Sequence, residues 1–170
     1  MVNIHSIDYK WYAVYTKSRC EKVVEKMLLA KKINVFLPIN TYTKRWSRKV
    51  KQIQKPLING YVFVNIIKDE YIKVLETEHI VSFLKFGNEI ISIPNEEIDI
   101  LRRIIGEEIE LETSVVSIEV GEEVEITQGN LLGMKGILVS KESKNKFSIN
   151  LDALGINITL SIDAKLLKKV

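Results

Sequence analysis

The chain has 170 residues, of which 46% are hydrophobic and 28% charged, and its net charge is +3. That length suits one medium domain or two small ones, and it buries a core without covalent staples. The single cysteine excludes an internal disulfide, histidines only at 5 and 79 exclude a histidine metal cluster, and no apolar run reaches the ~18 residues of a membrane span.

The opening Met1-Val2-Asn3-Ile4-His5 lacks a basic stretch followed by an apolar one, so a cytoplasmic protein without a secretory leader is expected. Trp11-Tyr12-Ala13-Val14-Tyr15 is β-branched and aromatic and reads as a strand. Ser18 with Glu21 three residues on has the form of a capping box, predicting a helix start. Val23, Val24, Met27 and Leu28 give that helix one apolar stripe. Ile33 to Leu37 reads as a second strand, stopped by Pro38.

Residues 40–55 hold Lys44, Arg45, Arg48, Lys49, Lys51 and Lys55 around Tyr42 and Trp46. That is too polar for a core element, and a long basic hairpin or loop is expected. Charge is polarised along the chain. Residues 1–66 carry 13 Lys+Arg against 3 Asp+Glu, whereas residues 67–170 carry 12 against 19. Such a split suits one face for a polyanion and another kept off it.

Tyr61 to Ile66 is the most apolar strand. A short helix from Asp69 to Glu76, a strand from Ile80 to Phe86 and a helix from Asn95 to Ile105 follow. This order implies an α+β sandwich, an antiparallel sheet with helices on one face. Residues alternate across a strand, so Tyr61 and Phe63 share one face and Val62 and Val64 the other. With helices on one side only, Tyr61, Phe63 and Tyr15 form an exposed aromatic patch, the kind that marks a partner site. The alternative, a third helix covering that face, stays open on pattern alone.

Residues 106–117 read as an acidic linker, with eight glutamates and no Lys or Arg between Gly106 and Glu125. Beyond it, short alternating runs punctuated by glycines predict about five strands in a small all-β barrel. The expected domains are therefore 8–105, a linker at 106–117, and 118–170. An enzyme is not expected. Cys20 has no motif linking it to His5 or His79, the glycines lack a Gly-Lys-Ser/Thr ending, and no carboxylate pair sits in a recognisable motif. No cofactor is implied.

Trp11-Tyr12-Ala13-Val14-Tyr15-Thr16, the basic helix behind it and Asn59-Gly60-Tyr61-Val62-Phe63-Val64 resemble the amino-terminal (NGN) domain of NusG-type transcription elongation factors. Val120 to Ile126, Gly129 through Ile137 and Leu151 to Gly155 resemble a KOW domain. The resemblance extends from about residue 10 to 170. A compact segment between Trp11 and Tyr61, and Lys17 directly after the first strand, make the chain similar to specialised antiterminator paralogues of the RfaH and UpxY type. The usual Pro before Gly is Asn59 here.

The resemblance implies an NGN domain that docks an apolar face on the clamp helices of the RNA polymerase largest subunit. The residues matching that face are Tyr15, Tyr61 and Phe63, with Ile58 beside them. It also implies that Lys17, Arg19 and Lys22 at the first helix, and Arg45, Trp46, Arg48 and Lys49 in the basic segment, lie against the non-template DNA strand at the upstream fork. The KOW domain would take a ribosomal protein or termination factor Rho, in a monomer that suppresses pausing or termination, as at capsular or exopolysaccharide operons. Strong β preference and three glycines oppose a helical form of that domain. The competing reading is a KOW-type RNA-binding or ribosome-associated module, with Tyr61 and Phe63 in a core.

Overall fold

The computed structural model describes residues 4–47, 49–107, 109–112, 121–140 and 145–170; the side chains of 46, 109–112, 140, 145, 146 and 164 lie outside the description. The chain divides into two compact units, Met1–Asp99 and Ile100–Val170.

The first unit opens with β1 (Lys10–Thr16), α1 (Glu21–Ala30) and β2 (Asn34–Phe36). A hairpin of β3 (Ile39–Trp46) and β4 (Lys49–Pro56) leads to β5 (Tyr61–Ile66). Next come α2 (Tyr71–Leu75), β6 (Ile80–Phe83), a small hairpin of β7 (Lys85–Phe86) and β8 (Glu89–Ile90), and α3 (Asn95–Ile104). The run expected as one strand from Ile80 to Phe86 is thus split at Leu84. The division between units falls inside α3 rather than after Ile105.

A four-stranded sheet in the order β2-β5-β1-β6 organises this unit, antiparallel at every pairing. The β1–β5 register sets Tyr15 opposite Tyr61, Val14 opposite Val62 and Ala13 opposite Phe63. One sheet face, with Tyr12, Val14, Val62, Val64 and Ile66, forms a single core with Val24 and Leu28 of α1 and Tyr71 and Val74 of α2. The α1 stripe is narrower than its sequence suggests: Val24 and Leu28 are fully buried, but Val23 stays exposed. Each fully buried aliphatic contributes about 1.5–3 kcal/mol. The Lys31 ammonium, just past α1, donates to the Lys73 carbonyl at 3.1 Å and the Thr77 hydroxyl at 2.8 Å, tying α1 to the end of α2.

The second unit is built on β9 (Ile109–Glu112), β10 (Glu123–Ile126), β11 (Lys135–Ser140), β12 (Asn145–Leu151), β13 (Ile156–Ile162) and β14 (Leu167–Lys169). They form one antiparallel sheet in the order β14-β10-β11-β12-β13-β9. Where a closed barrel is expected from the alternating runs, the described residues form an open sheet with β14 and β9 as its edges. The edge strand β9 comes from the segment expected as a linker and pairs antiparallel with β13. Alternation places Phe147, Ile149 and Leu151 with Ile158 and Leu160 in the interior, all buried. Gly136 has no side chain because a Cβ there would overlap the Ser148 carbonyl and the Phe147 ring. Arg103 donates to the carbonyls of Asn130 at 2.9 Å and Leu132 at 2.6 Å, holding the Gly129–Gly133 turn.

Candidate functional site

The aromatic cluster follows from the β1–β5 register. Tyr15 ends β1 and Tyr61 begins β5, so the two rings meet at the sheet's end with centroids 4.2 Å apart and planes tilted by 49°. Tyr15 is 42% exposed and Tyr61 half-buried. Burial pushes the Tyr61 phenol above its ordinary pKa, reinforced by a hydrogen bond with Tyr15 and by its charge. Tyr61 therefore stays neutral at physiological pH, with its apolar ring and its hydroxyl both usable at an interface.

Phe63 and Ile58 depart from expectation: both are core residues. Phe63 lies on the same sheet face as Tyr61 but is fully buried. It pairs with Ala13 on one side and Phe36 of β2 on the other, and its ring sits 6.1 Å from that of Phe36. Phe36 in turn meets Trp11 edge-on at 6.3 Å. Ile58 is buried because the chain between β4 and β5 is held down: Leu57 N–H donates to the Pro38 carbonyl at 2.7 Å, and Leu57 is itself buried. The open part of the aromatic face is the Tyr15–Tyr61 end.

A buried carboxylate fixes that end. Glu21 shows only 6% of its surface, and its Oε1 accepts the Gly60 N–H at 2.8 Å. Gly60 adopts a φ of 80°, which a side chain would strain, and its carbonyl accepts the Thr16 N–H at 2.9 Å. The capping box expected at Ser18 is absent. Cys20 occupies the N-cap without a side-chain bond, Arg19 takes a left-handed φ of 62°, and Glu21 is spent on Gly60. Glu21 thus links the start of α1 to the turn that presents Tyr61. Glu21→Ala should cost about 1.5–3 kcal/mol in a denaturant titration, since it strands a partly buried donor. Glu21→Gln, which keeps an acceptor, should recover most of it; equal stability of both variants with the wild type would contradict this role.

The basic residues separate into two groups. Lys17 is exposed, its N–H donating to the His79 carbonyl at 2.8 Å. Exposed Arg19 and half-buried Lys22 line a cavity of about 620 Å³ with Gln54, Lys55 and Asn59, and Glu21 also lines it. The Lys22 ammonium donates to Gln54 Oε1 at 3.1 Å, joining α1 to the base of the hairpin.

The basic segment is a hairpin of two eight-residue strands that, among the described residues, joins no other sheet. Its register opposes Tyr42 with Ile53, Lys44 with Lys51, Trp46 with Lys49 and Asn40 with Lys55. Directly opposed residues share a face, so Tyr42, Lys44, Lys49, Lys51, Ile53 and Lys55 lie on one side. Arg45 lies on the other, opposite Val50, with Thr41, Thr43, Gln52 and Gln54. Arg45 and Lys49, grouped together by the sequence, are therefore on different faces. Arg48 and the Trp46 side chain lie outside the described residues. Sequence reasoning missed Glu21 as a positioning group and Lys51 as a face-mate of Lys49. The spacing Lys49-x-Lys51 was visible, but the cross-strand partner Lys44 depends on register.

A family model described as transcription termination factor nusG matches residues 9–102. The chain belongs to the NusG family, a family of transcription factors. The transcription termination/antitermination protein NusG of Halalkalibacterium halodurans is 23% identical over 179 residues, spanning 96% of this chain and 100% of that protein. The structure of Thermotoga maritima NusG, solved to describe its domain interaction, has a TM-score of 0.59 at 21% identity, covering 98% of this chain and 99% of that one. That likeness establishes a shared mixed α/β fold of antiparallel sheets with few helices. No helix among the described residues is long and apolar enough to cross a membrane.

Proposed function

We propose that this chain is an elongation and antitermination factor that grips the clamp helices of the RNA polymerase largest subunit through Tyr15 and Tyr61. Ile58 and Phe63 support that surface from the core. Lys17, Arg19 and Lys22, with the hairpin residues Arg45, Trp46, Arg48 and Lys49, face the non-template DNA strand at the upstream fork. The segment 8–105 acts as the polymerase-binding domain, and the acidic run 106–117, which contributes the edge strand β9, leads into 118–170, a KOW-type module for a ribosomal protein or Rho. Lys17 after the first strand and the compact Trp11–Tyr61 segment favour a specialised paralogue serving a capsular or exopolysaccharide operon.

One observation carries this reading: an open tyrosine pair at the end of the sheet, close in sequence to a cavity rimmed by cations. The work required is bridging, without bond chemistry. A factor that binds the elongating state more tightly than the paused one depopulates the pause, and about 1.4 kcal/mol of difference changes the ratio tenfold. The test is equilibrium binding of the full chain to assembled elongation complexes and to free structured RNA. Saturable binding to the complexes is expected. Burial of Phe63 also suits the competing RNA-binding reading, and tight binding to free structured RNA without polymerase binding would establish that one instead.

A further inference from the structure

We propose that β9 is a guard strand, and that the edge of β13 beneath it pairs antiparallel with the same edge of a second copy of the chain once β9 lets go. The inference goes beyond the polymerase-binding reading and does not depend on it, because it concerns the second unit alone.

The mismatch between cover and edge is the first observation. β13 reads Ile-Asn-Ile-Thr-Leu-Ser-Ile, seven residues without a charge, a proline or a glycine. Runs of that composition adhere to one another when their backbone groups are free. One edge of β13 is paired with β12 along its whole length. On the other edge β9 pairs only with Asn157 to Leu160, so Ile156, Ser161 and Ile162 fall outside its register. β9 is itself a poor strand: Ile-Glu-Leu-Glu, in a stretch with eight glutamates and no Lys or Arg between Gly106 and Glu125. Charge on a short outer strand is a device that stops sheets from joining edge to edge. β9 thus holds the edge loosely while blocking its growth.

The second observation selects the occupant. β13 reads nearly the same in both directions about Thr159: Ile158 mirrors Leu160, Asn157 mirrors Ser161, and Ile156 mirrors Ile162. Two copies related by a two-fold axis at Thr159 would set these residues opposite one another, with Thr159 against its own copy. Each cross-strand pair is then apolar with apolar, amide with hydroxyl, or hydroxyl with hydroxyl. Asn157 Oδ1 is buried and accepts no hydrogen bond among the described residues, and this pairing sets it opposite the Ser161 hydroxyl of the second copy. β9 straddles the axis, with Glu110 opposite Thr159. A strand from an unrelated protein has no need of this symmetry; a second copy does.

The test is light scattering of the full chain over a dilution series. Wild-type chain should keep the monomer mass. Ile109→Gly, Leu111→Gly strips strand preference from β9 and should double the mass at high concentration. The single Leu111→Pro, a milder release, should do the same and serves if the double variant does not fold. In either background, Asn157→Lys, Ser161→Lys places like charges opposite each other twice across the axis and should weaken the dimer about tenfold, whereas Asn157→Lys, Ser161→Glu places opposite charges there and should keep it. In the otherwise wild-type chain, Glu110→Thr, Glu112→Thr supplies better strand formers and should slow hydrogen exchange of the β13 amides about tenfold without changing the mass. Released chains that stay monomeric, or a dimer indifferent to which charge pair it carries, overturn the self-pairing edge. Wild-type chain that is already dimeric, or β13 exchange unmoved by the threonines, overturns the guard.

Discussion

Phe63→Ala should destabilise the amino-terminal unit by about 3–5 kcal/mol, the range for removing a fully buried phenylalanine ring. The loss combines transfer of the ring with a cavity in a closely packed interior. Phe63 is flanked by Ala13 and Phe36, and Phe36 packs against Trp11, so collapse around the gap would have to move a chain of aromatic rings. Because Trp11 belongs to that chain, its fluorescence in a denaturant titration follows the transition, and the midpoint should fall with little change in slope. A midpoint equal to that of the wild type, combined with lost polymerase binding, would return Phe63 to the contact surface and contradict the interior assignment.

Tyr61→Ala should do the reverse. Tyr61 is half-buried and Tyr15 is 42% exposed, so truncating either removes only part of a buried ring and should cost little of the fold. At an interface an aromatic anchor of this size commonly contributes 2 kcal/mol or more, about thirtyfold in affinity. Tyr15→Ala should weaken binding by a similar factor. Since the rings touch, with centroids 4.2 Å apart, the double variant should lose less than the sum of the two.

Much of this was legible in the residues because β-strand parity is strict. Alternation alone put Tyr61 and Phe63 on one face of the strand and Val62 and Val64 on the other, and the register bears that out. Exposure along that face was not legible. Phe63 is buried through its pairing with Phe36 on β2 and Ala13 on β1, and pairing is a long-range outcome. The same limit explains Glu21. Its spacing from Ser18 matched a local cap, but its carboxylate finds the Gly60 N–H, 39 residues away. The hairpin's charge was plain in the composition, whereas the split between Arg45 and the lysines depends on a register opposing Lys44 to Lys51. In the second unit, alternation revealed the strands, but the acidic run of residues 107–112 gave no sign that Ile109–Glu112 would pair with β13. Glutamate is depleted in strands, and edge strands tolerate charge that central ones do not.

The most direct measurement is a titration of elongation complexes with wild-type chain and with the Tyr15→Ala, Tyr61→Ala double variant, alongside a denaturant midpoint for each. The account predicts thirtyfold or greater loss of affinity, by the same anchor arithmetic, with the midpoint retained. Undiminished affinity in a folded double variant would contradict it.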